Sequence, residues 1–148
     1  DEPLIDPEAL DRLVKELRAK DGSIGTLCTL ITKVEDLEDP AKVIVVLSRN
    51  HDALNFSRAM IPHQRDVDSK EDWLGSFPYR RHIGVYLFNR ETLLRITELS
   101  PSPLEESENL EQLRWLENGF SITAFPVSMD DHGIDTPADV DRILPLLD

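Results

Sequence analysis

The 148-residue sequence is poor in cysteine, in long apolar runs and in positive charge. Its one cysteine, Cys28, cannot form an internal disulfide, which favours a reducing, cytoplasmic compartment. No apolar run approaches the roughly 18 residues that a membrane span requires, and no basic-then-apolar leader stands at the start. The chain has 16 Lys and Arg residues against 29 Asp and Glu residues, a net charge of −13. Such a surface repels nucleic acid and anionic lipid, so neither nucleic acid nor a membrane is an expected partner.

Several catalytic signatures are missing as well. The sequence has no Gly-rich phosphate loop, no His/Cys cluster spaced for zinc, and no nucleophile elbow or Cys–His dyad. Cys28 lies in the apolar run 27–31, so we expect a small core residue rather than a nucleophile. The chain also begins at Asp1 without a methionine, which suggests a piece of a longer protein.

The pattern of apolar residues predicts an α/β fold. Predicted strands cover 26–32, 42–47, 79–88 and 122–127, and predicted helices cover 6–20, 91–99 and 102–118. Strands that alternate with helices are typical of a layered, mostly parallel sheet, and we expect one domain over residues 1–148. In such sheets ligands bind at the carboxyl ends of the strands.

The stretch 79–88 is the candidate floor of a cleft. With a period of two, it places three aliphatic side chains on one face and His82, Gly84, Tyr86 and Phe88 on the other. The second face thus carries an imidazole and a phenol with open space between them, which favours a binding surface. The alternative is an ordinary half-exposed strand whose His and Tyr are solvated.

Arg58 is a candidate anion-binding residue, because it stands in otherwise apolar company between Ala53 and Pro62. Burying an arginine is unfavourable unless it meets an anion; a side chain that reaches the surface is the alternative. Residues 63–78 follow as the longest loop-like stretch, which predicts either a lid or binding loop or a disordered excursion.

Two aspartates are candidate magnesium ligands. Asp135 stands just before a helix N-cap, at the end of a strand-loop segment, and Asp1 lies in a loop at the start of the chain. Two carboxylates that meet across a crevice at strand ends suit magnesium and a nucleotide phosphate. Alternatively, Asp135 is a turn residue and Asp1 is only where the chain begins.

Five segments, taken together, resemble the bacterial 3-deoxy-manno-octulosonate (Kdo) cytidylyltransferases, the CMP-Kdo synthetases. They are 1–5 (DEPLI), 53–58 (ALNFSR), 81–86 (RHIGVY), 103–105 with 110–114 (PLE and LEQLR), and 133–136 (GIDT). Their order and spacing match from end to end, and the segments HIGVY and LEQLR carry most of the weight.

This resemblance implies transfer of cytidylate from CTP to the anomeric hydroxyl of Kdo, with release of pyrophosphate, for lipopolysaccharide synthesis. It also implies a nucleotide-sugar-transferase α/β fold of the Rossmann-like type, and a homodimer. By motif, Asp1 and Asp135 would hold Mg²⁺, Arg58 would meet the sugar carboxylate, and no catalytic side chain is implied beyond the metal ligands. The residues implied to bind the sugar hydroxyls are His82, Tyr86, Glu111 and Gln112.

The chain departs from the family in two respects. Asn55 stands where family members usually carry an aromatic residue. More seriously, the family's N-terminal segment is absent, and with it the first strands of the sheet, the phosphate-binding loop and most contacts to cytosine. We therefore expect the C-terminal portion of a cytidylyltransferase domain, inactive by itself. The alternatives are a non-catalytic sugar-binding or dimerisation module, and a cytidylyltransferase for amino-Kdo or another acidic sugar.

Overall fold

The described part of the chain is built around a five-stranded sheet with strand order β3-β2-β4-β1-β5. The structure is a computed structural model that describes residues 3–128, 134, 140–141 and 143–146. The strands are β1 (Ile24–Leu30), β2 (Ile44–Leu47), β3 (Ala53–Ser57), β4 (Arg80–Phe88) and β5 (Ile122–Pro126). The helices are α1 (Pro7–Ala19), α2 (Val34–Glu38), α3 (Lys70–Ser76), α4 (Arg90–Ile96), α5 (Pro103–Glu108) and α6 (Glu111–Glu117), followed by a 3₁₀ turn, Leu144–Leu146. No helix in these ranges is long and apolar enough to cross a membrane.

The sheet is mixed, which corrects the expectation of a mostly parallel sheet while the α/β class is confirmed. Strand β1 runs parallel to β5, but the pairs β1–β4, β2–β3 and β2–β4 are antiparallel. Side-chain periodicity reports which face is buried and carries no information on strand direction. Strand β4 pairs with β2 only at Arg81. Beyond Arg81, the side of β4 that faces away from β1 has no strand partner among the described residues. The expectation of further strands upstream stays a prediction.

Strand β4 separates two layers of the core, as its period of two predicts. Its aliphatic face, with Ile83, packs against the buried stripe of α1. Its other face, with Tyr86 and Phe88, packs against α4 and α6 through Ile96 and Leu113. The strand therefore places His82 and Tyr86 on the side of the sheet that α6 covers.

Two predicted elements differ in the structure. The helix predicted over 102–118 is two helices, because Asn109 adopts a left-handed conformation (φ 53°) that ends α5. The stretch 63–78, predicted as loop-like, contains a helix in the described structure: Ser69 caps α3, and Trp73 is buried and stacks on Tyr79. Short helices with a single buried anchor leave too weak a periodicity to be predicted from sequence.

Candidate functional site

One edge of the sheet collects the end of β3 and the start of β4. Ser57 at the end of β3 pairs with Ile44, and Ile44 pairs with Arg81 near the start of β4. The carboxyl end of β1 lies at the same edge, because β1 runs antiparallel to β4 and its end pairs with the start of β4. The carboxyl end of β5 lies there too, because β5 runs parallel to β1. We call this the Arg58 edge, because Arg58 follows Ser57 directly.

The predicted magnesium ligands, Asp1 and Asp135, lie outside the described residues. Strand β5 ends at Pro126 on the Arg58 edge, so the chain that leads to Asp135 leaves the sheet there. Within the described ranges no three His, Cys, Asp or Glu side chains gather into a metal site. Magnesium takes as few as one or two protein carboxylates, so the assignment of these two aspartates stays a prediction.

In the part of the chain that the structure describes, the Arg58 guanidinium has neutral partners. Its Nε donates to the Glu108 carbonyl at 2.8 Å and its Nη1 to the Pro40 carbonyl at 2.8 Å. Its Nη2 lies 3.4 Å from the Asn109 carbonyl oxygen. No carboxylate of the described residues forms an ion pair with Arg58. Within the described ranges three of the five guanidinium N–H groups are therefore held. The other two have no partner there and carry the positive charge that suits an anionic ligand.

The break between α5 and α6 supplies two of these carbonyl groups. In one continuous helix the carbonyls of Glu108 and Asn109 would accept from Gln112 and Leu113 four residues on. Here Asn109 is left-handed, and the Leu113 N–H bonds the Leu110 carbonyl instead. The left-handed residue thus frees the carbonyls of Glu108 and Asn109 for Arg58.

Glu108 is a further residue of the site, and the sequence analysis did not single it out. Its carboxylate accepts from Ser57 Oγ at 2.7 Å and from the Arg58 backbone N–H at 2.6 Å. No signal in the local sequence predicts these bonds, since Ser57 and Glu108 are far apart in the chain and meet only through tertiary packing.

His82 is buried and neutral. Its Nε2 lies 2.9 Å from Thr26 Oγ1, which donates to the Val85 carbonyl at 2.7 Å. The hydroxyl has one hydrogen, so we assign His82 Nε2–H as the donor in this pair, which leaves Nδ1 as an acceptor. Burial and, to a lesser extent, the charge of Arg81 lower the pKa of His82 to about 3. A neutral imidazole with an acceptor nitrogen suits a hydroxyl donor.

Tyr86 lies between His82 and α6, with ring centroids 5.2 Å from His82 and 4.9 Å from Trp115. Tyr86, Trp115 and Glu111 line a cavity of about 220 Å³. Tyr86 Oη and Trp115 Nε1 are buried, and neither has a hydrogen-bond partner in the described part of the chain. Burial and the negative charge of Glu111 raise the pKa of Tyr86 well above its usual value of 10, so the phenol stays protonated. Buried donors without partners mark a place where a polar ligand gains hydrogen bonds that the protein does not supply.

The first turn of α6 contributes Glu111 and Gln112. The Glu111 carboxylate is mostly exposed and is ion-paired within its own helix, whereas Gln112 is only 6% exposed. Arg58 is bonded to the backbone immediately before this turn, and Tyr86 shares a cavity with Glu111. The structure thus places the five predicted sugar-binding residues around one junction of β3, β4 and α6.

A larger cavity, of about 650 Å³, lies at the opposite edge of the sheet. Its lining includes Lys20, Asn50, Arg95, Ser121 and Thr123, and none of the predicted site residues. We assign this cavity no function, because its lining carries charges of both signs and indicates no single class of ligand.

Cys28 is a buried core residue, as its apolar neighbours in sequence predict. Burial raises the pKa of the thiol to about 11, and the nearby charge of Arg80 offsets this only in part. A protonated, buried thiol is a poor nucleophile, which agrees with the expectation that Cys28 is a core residue.

Comparison with known families identifies the family to which this chain belongs. A family model described as Cytidylyltransferase matches residues 1–123, which is most of the chain. The chain therefore belongs to the cytidylyltransferase family, whose members are nucleotidyltransferases.

The relatives narrow the likeness to one kind of cytidylyltransferase. The 3-deoxy-manno-octulosonate cytidylyltransferase of Nitratidesulfovibrio vulgaris is 44% identical over 147 residues, which are 99% of this chain and 57% of the relative. The protein of the same name from Cytophaga hutchinsonii is 41% identical, over 97% of this chain and 57% of the relative. The mitochondrial one from Arabidopsis thaliana is 38% identical, over 99% and 49%.

A solved structure agrees with these relatives. The structure of CMP:2-keto-3-deoxy-manno-octonic acid synthetase complexed with CTP matches with a TM-score of 0.88 and 33% identity, over 99% of this chain and 58% of that chain. The resemblance drawn from the five sequence segments is thereby confirmed. The chain spans about half the length of the curated relatives it matches.

Proposed function

We propose that the protein, at its full natural length, transfers CMP from CTP to the anomeric hydroxyl of Kdo and releases pyrophosphate. The product would serve lipopolysaccharide synthesis. The names of the relatives support the substrates, and one observation in this chain carries the proposal: the Arg58 guanidinium is held by three carbonyl groups and has no carboxylate partner among the described residues. Kdo is an acid, so its carboxylate is the anion that this arrangement lacks.

The remaining predicted residues fit a polyhydroxylated ligand. His82 offers an acceptor nitrogen, and Tyr86 offers a protonated hydroxyl that has no partner in the described structure. Glu111 and Gln112 offer carboxylate and amide oxygens to sugar hydroxyls. Because His82 is buried and neutral, it would orient the sugar rather than carry charge at neutral pH.

Magnesium is part of the proposal, with Asp1 and Asp135 as its protein ligands. The ion would supply positive charge for the triphosphate and lower the pKa of the attacking hydroxyl. That charge is needed because the 148 residues carry a net charge of −13. We assign no side chain of this chain as a catalytic acid or base, so its residues act by binding and orienting the sugar.

We also propose that the protein is a cytoplasmic homodimer. The resemblance to the family supports the dimer, and the single buried cysteine fits a reducing compartment. Light scattering on the protein at its natural length measures the mass directly. A mass of one chain would contradict the dimer.

The activity is tested by incubating the protein at its natural length with CTP, Kdo and Mg²⁺. We expect pyrophosphate release that depends on all three. Kdo binding without pyrophosphate release would contradict the enzyme and favour a sugar-binding module. Faster turnover of amino-Kdo than of Kdo would instead correct the substrate.

The role of Arg58 is tested by Arg58→Ala in the same assay. We expect the Kdo KM to rise about tenfold or more, because a charge-assisted hydrogen bond to the carboxylate is lost. Arg65→Ala is the matched control, since Arg65 has a side chain that is 90% exposed. An unchanged Kdo KM in Arg58→Ala would remove Arg58 from the sugar site.

A further inference from the structure

Glu108 binds the segment Ser57–Arg58 through both its side chain and its backbone. Its carboxylate accepts from Ser57 Oγ at 2.7 Å and from the Arg58 N–H at 2.6 Å. Its carbonyl accepts from Arg58 Nε at 2.8 Å. One residue of α5 therefore fixes both the backbone and the side-chain head of Arg58.

The distribution of charge in this arrangement is unusual. A glutamate beside an arginine ordinarily pairs with the guanidinium and neutralises it. Here the Glu108 carboxylate is instead engaged by a hydroxyl and a backbone N–H, which are neutral donors. The guanidinium in turn donates to the carbonyl oxygens of Glu108, Pro40 and Asn109, which are its partners among the described residues. The head of Arg58 is thus immobilised without an ion pair among the described residues.

We propose that Glu108 is a positioning residue, which holds Arg58 in the orientation that receives the carboxylate of the acidic sugar. This inference rests on the proposed role of Arg58. An arginine loses side-chain entropy when it binds a ligand, and a head that is already fixed loses less. Glu108 should therefore affect the affinity for the sugar and leave binding of CTP and the chemical step unchanged.

The experiment is steady-state kinetics of Glu108→Ala in the protein at its natural length, with Kdo and CTP varied in turn. Alanine keeps the Glu108 carbonyl and removes the carboxylate that holds Ser57 Oγ and the Arg58 N–H, so the variant frees the backbone that carries Arg58. We expect the Kdo KM to rise about tenfold, with kcat and the CTP KM within about twofold of the wild type. Glu106→Ala is the matched control, since Glu106 is exposed on the same helix, and it should leave all three constants unchanged. A fall in kcat with no change in the Kdo KM would overturn the proposal.

Glu108→Gln is the conservative variant, and it also serves if the alanine variant does not fold. The glutamine oxygen can accept from the Arg58 N–H, and its amide group can donate to Ser57 Oγ, which has a free lone pair. We expect the Kdo KM to return to within about twofold of the wild type. A Kdo KM in Glu108→Gln as high as in Glu108→Ala would show that negative charge matters rather than position, and would contradict the proposal.

The double variant separates this inference from the proposed function. If Glu108 acts through Arg58, then Glu108→Ala adds little to the Kdo KM in a protein that already carries Arg58→Ala. If Arg58→Ala alone leaves the Kdo KM unchanged, the proposed role of Arg58 fails. If Arg58→Ala raises it and Glu108→Ala does not, the role of Arg58 stands and only the positioning role of Glu108 is overturned.

Discussion

Tyr86 has a buried hydroxyl with no hydrogen-bond partner in the described structure. An unsatisfied buried donor destabilises a folded protein by about 1–3 kcal/mol. We therefore expect Tyr86→Phe to raise the free energy of unfolding of the ligand-free protein by about 1 kcal/mol, as measured by urea denaturation. The same change should raise the Kdo KM, because the phenol would bind a sugar hydroxyl.

Tyr79→Phe is the matched control for that prediction. The Tyr79 hydroxyl donates to the Pro62 carbonyl at 2.7 Å, so its loss should lower the free energy of unfolding by about 1 kcal/mol. The two changes remove the same atom and should move stability in opposite directions. Equal destabilisation by both would show that Tyr86 finds a partner in solution.

The low pKa of His82 predicts how the stability of the protein depends on pH. Its pKa is about 3 in the folded protein against an ordinary value of 6.5, so the unfolded chain binds the proton first. The free energy of unfolding should therefore fall as the pH drops from about 6.5 towards about 3, by up to about 1.4 kcal/mol per pH unit from this residue.

The measurement compares the wild type with His82→Gln, which cannot titrate. We expect the loss of unfolding free energy between about pH 7 and about pH 4.5 to be smaller in His82→Gln, by about 2 kcal/mol. Each protein is compared with itself at the two pH values, so the lower stability of the variant does not enter. The same loss in both proteins would contradict a buried, neutral His82.

At the scale of the elements, the break between α5 and α6 is set by Asn109. A left-handed conformation disfavours side chains other than Asn, Asp and Gly. We expect Asn109→Ala to lower the free energy of unfolding by about 1 kcal/mol in urea denaturation, and Asn109→Gly to leave it nearly unchanged. Asn109→Ala should also raise the Kdo KM, since a straighter helix would withdraw the carbonyls that hold Arg58.

Ser107→Ala is the control for this break, because Ser107 is exposed and within α5. It should change neither stability nor the Kdo KM by a measurable amount, since surface changes of this kind are small. If Asn109→Gly were as destabilising as Asn109→Ala, the side chain of Asn109 and not its backbone conformation would be the important feature.

The elements that were predicted correctly are those that a local sequence pattern determines. The two faces of β4 follow from alternation alone, and α1 follows from its cap at Asp6, its Pro7 and a leucine stripe. The break at Asn109 was missed because the capping box at Ser102 begins a helix before it, and Leu110, Leu113 and Leu116 follow it at helical spacing. Asparagine, which tolerates the left-handed region, was the one local sign.

The candidate site was likewise predictable from local sequence only in part. The motif segments locate Arg58, His82 and Tyr86, and the strand period puts the last two on one face. What surrounds Arg58 comes from Pro40 and Glu108, 18 and 50 residues away in the chain. Such contacts depend on how β3 packs against the α5–α6 corner, and neither propensity nor spacing encodes that packing.

At the scale of the whole molecule, the negative charge of the chain should oppose its own folding. The 148 residues carry a net charge of −13 at pH 7, and like charges on a compact surface repel one another. Monovalent salt screens this repulsion over a distance of about 10 Å at 0.1 M. We therefore expect the thermal unfolding midpoint to rise by a few degrees between about 20 mM and about 300 mM salt. Differential scanning calorimetry with NaCl and with KCl separates screening from specific ion binding, because screening depends on ionic strength alone. A midpoint that fell with salt would mean that favourable ion pairs, such as Arg114 with Glu105 and Glu111, outweigh the net repulsion.

The same repulsion acts on an incoming triphosphate. Magnesium should therefore raise the affinity of the protein at its natural length for CTP, and by more than NaCl does at equal ionic strength.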